Sequence, residues 1–427
     1  MEVLCLEGEK LDGDSRKNVD RLKILFLVPD TKGSAVYVRA YNLAKQLAVR
    51  GHAVTLMAVS ADSTFGSHTR SESGLRLIET PNFMHNIFGH YTRRLFLEPG
   101  TGILDIIARL RECGSGQYDI VQLFDHSLNV VVPFYFLRRR VKSRFIADWC
   151  DIYHYAGGLR YNYGFRFDRI YEILGFPFRK YSRFVEFGLR RNSDGVTAIS
   201  RNLLDFAVEH GVARERVSVV EGGADVEHIS PLSKMEARRK LGLPVEGKIV
   251  GFMGTFQRDM DIVIKSFSIL KEEFPDSYLL VIGRPFPWAR KIAEEQGIAG
   301  RYIEAGRCSE ELLPYYLAST DVLALPLKDN LFNKTRWPNK IGEYMACGRP
   351  VVVSDVGNIA GIVREHGTGL TAGNDAVDFS SKLKTLLSNP DLAENMGKKA
   401  RKLACSEYSW ALQSAKLEEF YGHILNV

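Results

Sequence analysis

Cysteine is sparse in this chain of 427 residues: Cys5, Cys113, Cys150, Cys308, Cys347 and Cys405, with no CxxC and no close pair. Such spacing excludes a cysteine metal cluster and a disulfide-stapled scaffold, and points to a reducing compartment. Long apolar runs are also missing. Every run is interrupted by charge well short of the ~18 residues a membrane-spanning helix needs, and no basic segment leading into an apolar core opens the chain. A cytoplasmic protein is expected. Internal repeats and low-complexity tracts are absent. The first apolar run is not followed by GxGxxG, which removes the dinucleotide fingerprint. No acidic cluster marks a metal site, so no metal and no cofactor are expected.

What is present is the makeup of a globular α/β protein, 45% hydrophobic and 25% charged, long enough for two cores. The run Arg21 to Pro29 turns at Asp30 to Ser34, enters a helical pattern through Tyr37, Tyr41, Ala44 and Leu47, and stops at Arg50-Gly51-His52 before a second apolar run, Ala53 to Ala58. This is the strand–helix–strand grammar of a buried parallel sheet. Apolar runs at 249–255, 278–283, 301–307, 321–326 and 351–355, separated by helical patterns, predict a second doubly wound sheet. The boundary falls between Glu221 and Lys248, giving domains 21–230 and 231–427, with the terminal helix able to pack back on the first. Residues 1–20, acidic and without apolar period, read as a loose extension.

The segment from Asn339 to Ser354 is the most informative. Pro338 suits a first helical position, Gly348 a helix end, and Pro350 the break before Val351-Val352-Val353. Two readings fit: an ordinary helix–turn–strand unit, or a helix whose N-terminus faces an anion, with Lys340 in its first turn and Glu343 a turn further in. The string from Glu343 to Val352 resembles the donor-binding segment of the family-4 glycosyltransferases, and Glu365 to Leu370 and Tyr408-Ser409-Trp410 also resemble that family. The resemblance implies the GT-B fold, α/β with two Rossmann-like doubly wound domains facing across a cleft. It further implies a retaining, metal-independent transfer from a nucleotide-diphosphate sugar in the carboxyl-terminal domain to a hydroxyl acceptor, lipid-linked or polysaccharide, at the amino-terminal one.

Residue by residue, the resemblance assigns Glu343 to the ribose. The family's first glutamate, eight positions earlier, is Thr335 here, which cannot make a bidentate carboxylate contact. Arg336 beside it is a compensating polar group for the diphosphate or an acidic sugar, or a solvated arginine. After Gly254-Thr255, where the family places two cations, this chain has Arg258, which serves the leaving group or pairs with Asp259 or Asp261. Arg258, Lys340 and the helix start at Asn339 are the expected stabilisers of leaving-group charge. Gly33-Ser34 resembles the family's glycine loop. The positions of a family histidine hold Gln122 and Phe124, leaving His126 as the candidate base, and Asp151 matches an acceptor-side acid whose neighbouring histidine is replaced by Cys150. A non-catalytic partner or regulatory subunit on the same fold is the alternative.

The formal charge is only +6, but between Arg138 and Arg191 there are 13 Lys/Arg against 5 Asp/Glu, interleaved with aromatics. The stretch Phe176 to Arg191 fits either a basic helix that lays aromatics on an anionic membrane surface or a core-facing stripe with a solvated basic back. No RNA- or DNA-binding module accompanies it, so nucleic acid is not an expected partner.

Overall fold

Parallel strands buried on both faces require near-continuous apolar runs, and the computed structural model places those runs in two sheets. It describes residues 21–62, 64–82, 102–152, 176–254, 259–284 and 286–426, the side chains of 176–182 excepted. The expected extension, 1–20, lies outside them. The chain divides into two compact units, one of Met1–Cys150, Ile170–Glu221 and Trp410–Val427, the other of Asp151–Arg169 and Gly222–Ser409.

In the first unit the described strands are β1 (Lys23–Thr31), β2 (Ala53–Val59), β3 (His68–Glu72), β4 (Leu75–Thr80), β5 (Ile120–Phe124), β6 (Arg144–Trp149), β7 (Gly195–Ala198) and β8 (Val217–Val219). Their order is β3-β4-β2-β1-β5-β6-β7-β8, parallel except for the β3/β4 pair. Alternation along β1 sorts its side chains onto two faces. Ile24, Phe26 and Val28 pack with Leu43 and Leu47 of helix Ala35–Val49 and with Leu417, Tyr421 and Ile424 of helix Trp410–Asn426. Leu25 and Leu27 pack with Val121, Leu123, Phe134 and Phe145 on the other face. Each such buried side chain contributes about 1.5–3 kcal/mol.

The second unit carries β9 (Lys248–Met253), β10 (Ser277–Ile282), β11 (Tyr302–Gly306), β12 (Val322–Leu325), β13 (Val351–Ser354) and β14 (Gly369–Ala372), in the order β11-β10-β9-β12-β13-β14. Every described pairing in it is parallel. Strand order reverses beside β1 in the first sheet, between β1 and β5, and beside β9 in the second, between β9 and β12. In open parallel sheets the crevice outside the carboxyl ends of the strands at such a reversal is where ligands bind.

Among the described residues no helix is long and apolar enough to cross a membrane.

Candidate functional site

At the reversal in the second sheet, Tyr344 ties the two strand ends together. Its hydroxyl accepts the Met253 N–H at 2.7 Å and donates to the Ala324 carbonyl at 3.4 Å, linking the end of β9 to β12. The side chain is fully buried, an aromatic anchor that helps seat helix Lys340–Ala346 over the crevice. One turn of that helix then brings Lys340 and Glu343 to the mouth of β9. Gly342 allows the helix to approach the main chain of 223–224; a Cβ there would stand 2.7 Å from the Gly223 carbonyl oxygen.

Lys340 Nζ lies over the Phe252 ring, 4.6 Å from its centroid. It also occupies the space beside Gly254: a Cβ on that glycine would meet Nζ at 2.9 Å and Phe252 Cζ at 3.1 Å. Burial pulls the Lys340 ammonium down to about 7, the Arg336 guanidinium adds to the shift, and Glu343 and Asp259 oppose it. Burial pushes the Glu343 carboxyl up to about 7, assisted by the Asp225 charge and opposed by its own backbone N–H and by Lys340. Both residues keep some surface, yet desolvation dominates both shifts. Glu343 Oε2 is buried and accepts no hydrogen bond from the described protein. The crevice therefore offers one acceptor awaiting a donor and a cation held in a poorly solvated position.

Around them, Asn333 Nδ2 donates to Asp259 Oδ2 at 3.1 Å and to the Lys328 carbonyl at 2.8 Å. Lys328 Nζ pairs with Asp261 at 3.2 Å. Asp259 and Asn333 are buried and hold the loop after β12 against the start of helix Met260–Leu270. Sequence reasoning did not find Asn333. Its one local signal is the cap made by Asn330, whose side chain accepts the Asn333 N–H at 2.8 Å.

The expected donor residues divide into three groups. Gly254, Lys340 and Glu343 come together as described, and the Arg336 charge is felt by Lys340 while its guanidinium stacks 4.8 Å from the Phe332 ring. Thr335 is buried, and its hydroxyl donates to the Leu331 carbonyl of its own helix at 2.9 Å. Thr255 and Arg258 lie outside the described residues. Asn339 does not cap the helix with its side chain. The helix is seven residues long and its first turn closes on itself, with the Ile341 and Gly342 amides donating to the carbonyls of Pro338 and Asn339 at 3.0 and 3.1 Å. Two of the first-turn amides are thus used within the turn, and Lys340 adds the charge of its side chain beside it.

In the first unit, Gly33 has φ +91°, and Ser34 caps helix Ala35–Val49 by accepting the Tyr37 N–H at 3.1 Å. Arg109, on helix Ile103–Gly114, donates to the Val28 carbonyl at 2.7 Å and Asn129, on helix Leu128–Leu137, to the Pro29 carbonyl at 3.1 Å, so the helices before and after β5 are both fastened to the carboxyl end of β1, at the reversal of strand order. His126 stands there with Asp125, a non-glycine residue at φ +66°, whose Oδ1 is 2.7 Å from His126 Nδ1. Burial of the imidazole favours its neutral form, but the Asp125 carboxylate outweighs burial and raises its pKa, with Glu186 adding and Arg190 opposing. Cys150 Sγ donates to Asp148 Oδ2 at 2.8 Å, and Asp151, two residues past β6 and the first residue counted with the second unit, is half-buried.

Gln122 belongs to a buried network that sequence reasoning missed. Arg39 pairs with both Asp148 oxygens at 3.0 and 2.9 Å and donates to the carbonyls of Val220 and Glu221. Asp148 Oδ1 accepts the Thr197 hydroxyl at 2.6 Å, Thr197 accepts from Gln122 at 3.1 Å, and Gln122 accepts the Tyr421 hydroxyl at 3.0 Å. A charge inside the apolar run of β6 was the available signal.

The basic aromatic helix, Phe176–Asn192, is corrected in its described half. Phe187 and Arg190 are buried, Arg190 5.1 Å from the Trp149 ring and donating to the Glu186 carbonyl at 3.1 Å. Helical periodicity turns residues 185–187, 189 and 190 inward, so these two cannot meet a bilayer. The side chains of Phe176, Phe178, Arg179, Lys180 and Tyr181 lie outside the described residues.

Among the described residues no group of three or more His, Cys, Asp or Glu side chains is placed to hold a metal ion. The family model for glycosyl transferases group 1 matches residues 233–403, and that for glycosyltransferase family 4 matches residues 36–228. D-inositol 3-phosphate glycosyltransferase of Corynebacterium urealyticum is 32% identical over 225 residues, 49% of this chain and 51% of that protein, so the chain spans about half the length of this relative. The same-named protein of Corynebacterium aurimucosum is 26% identical over 93% of this chain and 92% of its own. Anabaena HepE, solved in complex with UDP and glucose, superposes with a TM-score of 0.66 at 14% identity, covering 93% of this chain and 99% of its own. That likeness is one of fold, and the fold is GT-B.

Proposed function

From the premise that the chain belongs to the family-4 glycosyltransferases, we propose that it transfers a glycosyl group from a nucleotide-diphosphate sugar, bound in the second unit, to a hydroxyl of a carbohydrate or lipid-linked acceptor. The observation that carries this reading is the buried, unpartnered Glu343 Oε2 one helical turn from Lys340, at the strand-order reversal of the second sheet. A ribose hydroxyl supplies the donor that Oε2 lacks. A diphosphate supplies the negative charge that restores Lys340 to its ammonium form. The names and bound ligands of the relatives, a sugar transfer and a UDP complex, support the same class.

In the transfer, the bond between the anomeric carbon and the phosphate oxygen breaks and its electron pair leaves with the nucleoside diphosphate. The acceptor oxygen bonds to the anomeric carbon on the same face, and its proton passes to the departing phosphate oxygen. Charge on that phosphate grows through the step, so fixed cations at Lys340 and Arg336 lower the barrier more than they tighten donor binding. Their presence supports a metal-independent reaction, in which EDTA leaves turnover unchanged.

Thr335 favours a second reading. Its hydroxyl is committed to its own helix, so the sugar hydroxyls meet no carboxylate at that position, and a non-catalytic partner on this fold would retain nucleotide binding without turnover. Calorimetry with a panel of nucleoside diphosphates and their sugars tests the main proposal. Binding lost in Glu343→Ala, with slow donor hydrolysis by the wild type, supports a transferase. Binding without hydrolysis or transfer for any donor supports the second reading, and absence of binding by any nucleotide refutes both.

A further inference from the structure

One face of the first unit takes no part in the site above. It is made by the end of helix Leu128–Leu137, the turn after it, and the second half of helix Phe176–Asn192. These helices run side by side: a Cβ on Gly188 would lie 2.8 Å from the Tyr135 hydroxyl, and Arg138 reaches the Asn192 carbonyl at 3.5 Å. Aromatic rings lie open along them. Phe184 is 74% exposed, Phe136 52% and Tyr135 39%.

The same face is cationic without counter-charge. Arg138, Arg139, Arg140, Lys142 and Arg183 lie on it, and the sequence from Leu128 to Lys142 contains no Asp or Glu. Glu186, the acid on the described half of the second helix, is buried and accepts from Trp149 Nε1 at 3.0 Å. None of the five cations is in an ion pair among the described residues. Aromatic rings hold three of them, with Arg140 3.9 Å from the centroid of Phe136, Arg138 5.1 Å from that of Tyr135 and Arg183 5.6 Å from that of Phe187.

We propose that this face docks on an anionic lipid bilayer, Phe136, Phe184 and Tyr135 entering the headgroup region while the arginines meet lipid phosphates. Large apolar rings left open in a soluble unit cost hydration, and a boundary that is apolar on one side and anionic on the other satisfies both halves of the patch. An acidic protein would answer the charge alone, and no nucleic-acid-binding module accompanies the patch. The surface differs from the one expected from sequence, because the inward side of helix Phe176–Asn192 is core and exposure shifts to Phe184 and to the neighbouring helix. The inference is independent of the proposed reaction, since a chain without transferase activity would bind a bilayer equally.

The test is cosedimentation of the full chain with phosphatidylcholine vesicles, with and without phosphatidylglycerol. Binding is expected only with the anionic lipid, and release is expected as salt shortens the screening length from about 10 Å at 0.1 M to about 3 Å at 1 M. Arg139→Ala/Arg140→Ala should lower the partition constant about 25-fold, about fivefold for each cation. Phe136→Ser/Phe184→Ser should also weaken binding while leaving its salt dependence in place. Both variants should keep the unfolding midpoint of the wild type, as their side chains are exposed. No binding to anionic vesicles at low salt, or equal binding by both variants, overturns the proposal. Retention on an RNA homopolymer without vesicle binding replaces it with nucleic acid.

Discussion

Lys340 gives the clearest test of the site, because in the nucleotide-free protein it is a destabilising residue. Its pKa falls from 10.5 to about 7 on folding, so the folded state disfavours the charged form. The full shift corresponds to about 5 kcal/mol at about 1.36 kcal/mol per pH unit. Solvent reaching the partly exposed side chain reduces this to roughly 2–4 kcal/mol. The sign follows from proton binding. Below about pH 7 lysine is charged in both states and the folded protein carries the whole cost. As pH rises from about 7 to 10.5, the folded lysine loses its proton while the unfolded one keeps it, and stability increases. Lys340→Met keeps the length of the side chain and removes the charge. At pH 6 it should therefore raise the thermal midpoint by about 4 °C or more, at roughly 2–4 °C per kcal/mol for a unit of this size. At pH 10 the gain should nearly vanish. The same variant should bind nucleoside diphosphates more weakly, since the anion is what favours the charged form. Thermal scans of both proteins across this range, with and without UDP, give the answer. A variant no more stable than wild type at pH 6, or a gain that does not shrink with pH, would refute the argument that Lys340 is a poorly solvated cation.

Other outcomes follow from the same geometry. Glu343→Ala removes the acceptor at Oε2 and should weaken nucleoside diphosphate binding at pH 8 by about 1.5–3 kcal/mol, measured by calorimetry. Gly254→Ala places a methyl group 2.9 Å from Lys340 Nζ; the flexible ammonium moves, so nucleotide affinity should fall more than the unfolding midpoint does. Tyr344→Phe leaves the Met253 N–H without its 2.7 Å partner and should cost about 1–3 kcal/mol in denaturant unfolding. Asp148→Ala strands the buried Arg39 guanidinium and should destabilise the first unit by about 3–5 kcal/mol, whereas nucleotide affinity should hold.

By itself the sequence determined the strands of both sheets that are buried on two faces. β1, β2, β9, β10, β12 and β13 are each an almost unbroken apolar run bounded by turn residues, and that pattern is local. It also marked Gly348 as a helix end, where φ is +68°, and placed Glu343 and Lys340 one turn apart, a spacing any helix imposes. β7 and β8 escaped notice because their sequences, Gly195-Val196-Thr197-Ala198 and Val217-Ser218-Val219, are broken by glycine and hydroxyl residues and form no apolar run. Tertiary structure alone decided which charges are buried. Arg39 lies in an ordinary helical pattern, and its partner Asp148 is 109 positions away. Arg190 and Phe187 belong to a helix whose composition suits a membrane surface, yet the packing of Trp149 and Glu186 draws them inward. Likewise, the site depends on Gly254 and Lys340 meeting across 86 positions of chain, brought together when β9 and β12 become neighbours. Periodicity is written in adjacent residues, whereas desolvation and ion pairing depend on which distant segments the sheet order places side by side.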